Sequence, residues 1–524
     1  MRLIGKSIYS IFYISINTQI LVFLMSSSKQ LKLGALLSYV AIAINIVTGL
    51  LYTPWMIHSI GRENFGLYTL AMSVISLFVF DFGLSSAVTR FIAKYLAEGR
   101  QDRANNCLGL VYRLYFIIDV VLFLILVGVF FFIPQIYREL SLDEIQKFKI
   151  VYCVAALYSV ISFPFIPVNG VLTAHEKFIQ LKICEVAHKL IIVVAMSVCL
   201  LLGGGLYALV TVNALTGVLA ILFKLYCIRR YTPQSVSIHY SNKSEFREIV
   251  GFSGWVTVIA IAQRCIFNLA PSILGALSGS TAIAILGIAI TLEGYTYTFS
   301  SAINGMFLPK VSRIVADGKG DVLPLMIRIG RIMIYVISLI VFGVITLGQD
   351  FIQLWVGSDF NESYYCAVLI ILPSLLQLPQ DIGSQAIYAK NKVRKLSIVY
   401  VAMAVTNIIG AILLAPILGA LGICISICIA YIVRTVGMDV IFYRDLNIDV
   451  FAFFRETFVK MSVPLVLSLM IGFGCNYIIP LHSWMGFVVK GCLFVLGYCV
   501  VMYIMSMNSS EKELLASIFR KSDK

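Results

Sequence analysis

The chain has 524 residues, of which 60% are apolar and only 13% are charged, about half the roughly 25% charged residues of an ordinary soluble domain. So few charges cannot cover a folded chain of this length in water, whereas they suit a surface that faces lipid tails. The net charge of +14 would suggest nucleic acid in a soluble protein; in a membrane protein it reports cytoplasmic loops beside anionic lipid, and no nucleic-acid partner is expected. The 12 cysteines fall almost entirely inside apolar stretches without paired spacing, and the five histidines are scattered singly, so no metal site is expected. Zinc-protease, nucleophile-elbow, P-loop and dinucleotide signatures are all missing. Nothing in these observations argues for an enzyme, and neither catalytic residues nor a cofactor is expected.

The first apolar run, residues 8–25, follows Arg2 and Lys6 and reads as a signal sequence, an extra span, an interfacial helix, or a stretch upstream of a start at Met25. No small-residue cleavage site follows it, and a fifteenth crossing would invert every later loop. Residues 1–32 are therefore taken as a cytoplasmic or interfacial segment. About 20 apolar residues cross the hydrocarbon as a helix, and such runs recur near 33–53, 67–88, 107–133, 150–174, 183–202, 207–227, 249–277, 282–306, 324–348, 366–389, 396–416, 420–441, 458–479 and 487–506. With the N-terminus inside, 32 of the 40 basic residues fall in cytoplasmic segments and four (Arg62, Arg138, Lys147 and Lys149) in outer loops. That asymmetry predicts both termini on the cytoplasmic side.

Two matches reveal an internal repeat. KYLAEGRQD (Lys94 to Asp102) aligns with RIVADGKGD (Arg313 to Asp321) at an offset of 219, and FPFIPVNGVLTAHEK aligns with LPQDIGSQAIYAKNK at 215, pairing Pro164 with Pro379 and Lys177 with Lys392. Six spans separate the equivalents, so the repeat is parallel, with its axis along the membrane normal. The expected organisation is all-α and integral to the membrane: an N-lobe over 33–228, a cytoplasmic linker over 229–248, a C-lobe over 249–441, two appended spans over 442–506 and a cytoplasmic tail over 507–524. The two six-helix lobes would rock around a central cavity.

The stretch from Gly61 to Gly99, GRENFGLYTLAMSVISLFVFDFGLSSAVTRFIAKYLAEG, resembles the second span of polysaccharide (O-antigen, Wzx-type) flippases, with Gly-Leu-Tyr at its opening, Asp-x-Gly-Leu near its end and a basic residue closing it. MFLPKVSR (Met306 to Arg313) and the Ala-His-Glu-Lys corner after the fourth span extend the resemblance over about residues 30 to 440. It implies membership of the multidrug/oligosaccharidyl-lipid/polysaccharide exporter superfamily, a MATE-like fold, and translocation of an undecaprenyl-diphosphate-linked oligosaccharide across a bacterial cytoplasmic membrane, with a polysaccharide polymerase and a chain-length regulator as further partners. Drug exporters of that superfamily typically place an acid in the first span and lipid II flippases place cations there. Between Lys32 and His58 this chain has no charge, only Asn45 as a strongly polar side chain, which leaves the polysaccharide branch.

Charges within spans need a partner or a wet cavity, since one at mid-bilayer costs roughly 2.5 to 3.5 kcal/mol even on insertion scales. Arg264, in the middle of the seventh span, is read either as a cation that draws a diphosphate or anionic sugar into the cavity, or as the structural partner of an acid such as Glu293. Glu293 lies in a polar eighth span with Tyr295, Tyr297 and Asn304, whose rings and polar groups suit sugar contact or packing. Asp81 is expected to bond backbone donors where the second span breaks at Gly83. Arg90 either contacts lipid phosphate or snorkels, and Arg113 helps form an electropositive vestibule. Asp119, six residues from Arg113, and Asp381, after Pro379, are candidates for coupling to a proton or sodium gradient. Residues 349 to 365, with Asp350, are expected to form a solvated outer loop, SLDE (Ser141 to Glu144) a capping box, and EKELLASIFRK an amphipathic helix on the inner leaflet. The alternative function is an ion-coupled exporter of organic cations from the same superfamily, which the deep cations disfavour. A polymerase or glycosyltransferase would need larger outer loops.

Overall fold

The computed structural model describes residues 27–79, 81, 83–237, 240, 242–316, 322–390, 392–479 and 483–513, and among these every regular element is a helix. The apolar run over 8–25, residues 317–321 of the repeat match, most of the EKELLASIFRK segment, and the side chains of Asn45, Asn304 and Met306 to Arg313 lie outside the described residues. In chain order the first half comprises α1 (Ser27–Ile60), α2 (Arg62–Phe78), α3 (Leu84–Ala97), α4 (Gln101–Ile136), α5 (Leu142–Ser162), α6 (Val168–Ala174), α7 (Phe178–Leu201) and α8 (Leu206–Tyr231). The second half comprises α9 (Lys243–Phe267), α10 (Ala270–Leu277), α11 (Gly279–Ala316), α12 (Leu323–Val356), α13 (Asn361–Ile371), α14 (Asp381–Ala389) and α15 (Val393–Leu446), followed by α16 (Lys460–Ile478) and α17 (Trp484–Val501).

The apolar runs from 33 onward lie mainly on helix, and among the described residues 11 helical segments are long and apolar enough to cross a membrane alone. This makes the chain a multi-pass membrane protein. The count differs from fourteen partly because the second span is divided between α2 and α3, each too short to cross alone, and partly because α15 contains two expected spans. At 54 residues, α15 would be about 80 Å long if straight, nearly three times the hydrocarbon thickness. It folds back at Gly419, whose φ of 56° suits glycine. Across the resulting hairpin the Ser426 hydroxyl donates to the Asn407 carbonyl at 2.7 Å and Arg434 Nη2 donates to the Tyr400 hydroxyl at 2.9 Å.

The helix pairs repeat with the same six-span spacing as the loop sequences. In the first half α1 packs on α7, α2 on α5, and α5 on α8; in the second half α9 packs on α15, α11 on α13, and α13 on α15. The equivalent helices α2 and α11 pack on each other, which places the relating axis between them. Their contact is close because Gly66 lets the Ser280 backbone approach: a Cβ at Gly66 would lie 2.1 Å from the Ser280 carbonyl oxygen. The chain leaving the first lobe is strapped to it. Asn105 Oδ1 accepts from Gln234 Nε2 at 2.9 Å and from Ser235 N at 3.0 Å, and Ser237 N donates to the Asn105 carbonyl at 3.3 Å.

The segment 349–365 is not a solvated loop. Apolar residues interleave with its acids, so α12 continues to Val356 and α13 starts at Asn361, and Asp350 lies inside α12. Its carboxylate accepts from Lys490 Nζ at 2.6 Å, and that ammonium, fully buried, also donates to Asn476 Oδ1 at 2.9 Å. The ion pair fixes α16 and α17 to α12 at one end. At the other end Arg331 Nε donates to Glu511 Oε1 at 2.7 Å, while its Nη2 reaches the Ser506 carbonyl at 2.6 Å. Glu511 therefore docks into protein and is not on the polar face of a lipid-bound helix.

Burial pushes the Glu511 carboxyl up, but the Arg331 guanidinium and the Asn508 backbone N–H more than offset this, leaving its pKa below the ordinary glutamate value. The pairing therefore stabilises the docked tail above that ordinary value and is lost as pH falls through the depressed one. Limited proteolysis should find the tail protected at pH 7 and released only below about pH 4. A Glu511→Gln chain should be cut at pH 7; protection of both chains alike at pH 7 would show that the pair does not hold the tail.

Candidate functional site

Two cavities meet between the lobes. The first, about 400 Å³, lies between α1, α2, α7, α10 and α11 and is lined by hydroxyl and amide groups, among them Thr48, Tyr52, Tyr68, Asn213 and Tyr295, with Lys189 as its cation. The second, about 310 Å³, lies in the second lobe and is lined by Arg264, Glu293, Tyr297, Asp381, Tyr400 and Arg434. Phe267 and Asn268 line both. They sit where α9 gives way to α10, because Pro271 has no N–H to extend the α9 ladder. The break leaves polar backbone facing a cavity, as non-helical chain within a membrane must.

Four of the residues singled out in the sequence, Arg264, Glu293, Tyr297 and Asp381, thus share one cavity, and Tyr295 lines its neighbour. Glu293 and Arg434 are 7% and 4% exposed and Arg264 and Asp381 are half-buried, so this pocket combines two guanidinium groups and two carboxyl groups, one of each buried. Arg434 stacks its guanidinium over the Tyr400 ring at 5.1 Å and leaves Nε without a hydrogen-bond partner. Arg264 reaches across the lobes: its Nη1 donates to the Ser76 carbonyl at 3.0 Å. Ser76 belongs to the last turn of α2, whose terminal carbonyls lack intrahelical donors and whose dipole favours a cation. The break that ends α2 is built by Asp81 and Gly83. Gly83 adopts φ 69°, and Asp81 Oδ1 accepts from Ser85 N at 3.0 Å and from the Tyr115 hydroxyl at 3.2 Å.

Arg90 on α3, with Arg113 and Asp119 on α4, lines neither cavity. Asp119 is buried, with Oδ1 lacking a hydrogen-bond partner. Arg434 and Lys189 are cavity residues that the sequence reading passed over. Arg434 is a charge in the middle of an apolar run, the same signal that marks Arg264. Lys189 lies near the start of the fifth apolar run, where a lysine reads as a residue at the cytoplasmic edge, but α7 starts at Phe178 and carries it about 16 Å into the bundle.

One side of the cavities is sealed by the two lobes together. Met56, Ile57, Ile60 and Phe65 of the first lobe form one buried cluster with Ile352, Trp355 and Phe360 of the second. Trp355 Nε1 donates to the Leu50 carbonyl at 2.5 Å, and the Arg62 guanidinium lies 5.2 Å from the centre of the Phe360 ring.

Among known proteins, the chain is 20% identical over 511 residues to the uncharacterized membrane protein EpsK of Bacillus subtilis (strain 168), covering 92% of this chain and 96% of that one. Its fold is shared with the lipid II flippase MurJ in an inward closed conformation, at TM-score 0.68 and 14% identity over 90% of this chain and 98% of the other. It is also shared with an inward-facing multidrug resistance MATE family transporter of the MOP superfamily, at TM-score 0.60 and 15% identity over 79% of this chain and 97% of the other. These solved relatives are by name a flippase and a transporter, not enzymes. Residues 31–315, more than half of the chain, match the family described as polysaccharide biosynthesis protein; the chain belongs to that family and has the two-lobed helical fold of MurJ and the MATE transporters.

Proposed function

We propose that the protein flips an undecaprenyl-diphosphate-linked oligosaccharide from the cytoplasmic to the outer leaflet of a bacterial cytoplasmic membrane by alternating access, for O-antigen or capsule-type polysaccharide. The observation that carries this reading is the joined pair of cavities. A hydroxyl- and amide-lined chamber suits neutral sugars, and beside it a chamber with two arginines suits the diphosphate, because guanidinium stays charged and binds phosphate oxygens in pairs. The polyprenyl tail stays in lipid between the lobes, both termini face the cytoplasm, and the sealed side faces outward. Product passes to a polymerase and chain-length regulator. Asp381 in the charged chamber, and Asp119, are the carboxylates through which a proton or sodium gradient would act; no other cofactor is invoked.

The test is deletion of the gene in its host followed by isolation of undecaprenyl-linked sugars. A complete repeat unit should accumulate facing the cytoplasm and surface polysaccharide should disappear. An Arg264→Ala copy should restore less than about a hundredth of surface polymer, because losing a charge-assisted phosphate contact costs roughly 3 kcal/mol. Glu293 and Asp381 give the alternative, export of organic cations, a physical basis. Unchanged surface polysaccharide with new sensitivity to cationic drugs would establish that alternative instead.

A further inference from the structure

A third cavity lies away from the lobe interface, on the membrane-facing side of the first lobe between α4 and α5. It measures about 280 Å³, and its walls are the apolar faces of residues such as Phe123, Phe131, Leu157 and Val160. The polar group nearest its lining, the Tyr152 hydroxyl, is turned inward and donates to the Leu126 carbonyl at 2.9 Å. Apart from the weakly hydrogen-bonding Cys153 thiol, no polar side chain of the lining is left to hold a sugar or an ion inside the groove. At one end stands Lys149, its ammonium 5.9 Å from the centre of the Phe130 ring that forms part of the wall.

The neighbouring cations are otherwise engaged: Lys147 pairs with Asp143, and Arg138 Nε donates to the Gln135 carbonyl at 3.0 Å. Lys149 has no carboxylate within ion-pair reach among the described residues. Along α5, Lys149 and Val160 are 11 residues apart, about 16 Å of helix. That is half the roughly 30 Å hydrocarbon thickness, the depth of one leaflet.

We propose that this groove is a binding site for one anionic glycerophospholipid of the leaflet on the α5 N-terminal side, its phosphate at Lys149 and one acyl chain lying along the groove. Lipid tails are as apolar as the groove wall, so the chain gains only packing over bulk lipid. The lysine supplies the selection for charge, and one lysine at a membrane surface changes anionic-lipid binding roughly fivefold. The site is built entirely within one lobe, so it stays filled through the rocking cycle. It is independent of which head group the central cavities carry.

The full-length chain, purified and delipidated in detergent, would be titrated with phosphatidylglycerol or phosphatidylethanolamine and its bound lipids counted by native mass spectrometry. One phosphatidylglycerol should bind at least fivefold more tightly than phosphatidylethanolamine, Lys149→Gln should abolish that preference, and Leu157→Trp, which fills the groove, should remove the bound lipid. Leu222→Trp on the lipid-facing side of α8 serves as the folding control and should retain it. Equal binding by Lys149→Gln, Leu157→Trp and the parent chain would overturn the site. Displacement of phosphatidylglycerol by equimolar undecaprenyl phosphate would overturn the glycerophospholipid assignment.

Discussion

Replacing Lys490 with methionine should lower stability by about 3–5 kcal/mol, the cost of removing one partner of a buried ion pair. The ammonium is fully enclosed between α12, α16 and α17, and it satisfies both Asp350 and Asn476. Methionine fills similar space but removes the ammonium that faces the Asp350 carboxylate in a low-dielectric interior. The double variant Lys490→Met/Asp350→Leu should recover most of the loss, because replacing both charges by apolar groups of similar volume is often close to neutral. Thermal unfolding in detergent, followed by fluorescence, measures both. If Lys490→Met melts with the parent chain, the pair contributes no net stability and the two appended helices are held by packing and by the Arg331 contacts at the other end.

Gly66→Val should shift the protein away from the state in which the Trp355 seal is closed. The contact at Gly66 is backbone against backbone, with the Ser280 carbonyl where a Cβ would stand, so no side-chain rotation relieves it. Overpacking of this kind costs about 1–3 kcal/mol, and it is imposed only while α2 and α11 stay in close contact, so the ratio of sealed to open states should fall about 5- to 150-fold. Cysteine placed at Met56, which lies inside the seal at 4% exposure, reports the change through its rate of reaction with a membrane-impermeant maleimide. Gly128→Val, where a Cβ meets nothing within 4 Å, controls for a general effect of valine. A labelling rate in Gly66→Val equal to that of the control would mean that the seal opens without separating α2 from α11.

Much of this architecture is legible in the sequence for simple reasons. Lipid demands long apolar runs, so helix positions follow from hydropathy, and short loops preserve the repeat, so Lys94 to Asp102 and Arg313 to Asp321 still resemble each other. The break at Asp81 and Gly83 announces itself through residue types that leave helices readily. The central cavities are less legible because hydropathy carries no information on rotation about a helix axis. Arg264, Glu293, Tyr297 and Asp381 stand out as polar groups in apolar runs, whereas the path from Lys189 into the first cavity depends on where α7 begins. Asp350 shows a different limit. Its buried partner is 140 residues away in the chain, and the local pattern around it, with a glycine on either side and two further acids after it, looks like a loop until α17 supplies the opposing charge.

The strap at Asn105 sets a mechanical limit on the lobe motion of the proposed cycle. Because Ser237 is held to the first lobe and α9 starts at Lys243, only six residue steps connect the two bodies that would swing in that cycle. Fully extended, that length spans about 20 Å. In the proposed alternating-access cycle, the mouth on the linker's side would therefore have a short leash at one edge, which would act as the hinge side and leave the widest opening on the edge opposite.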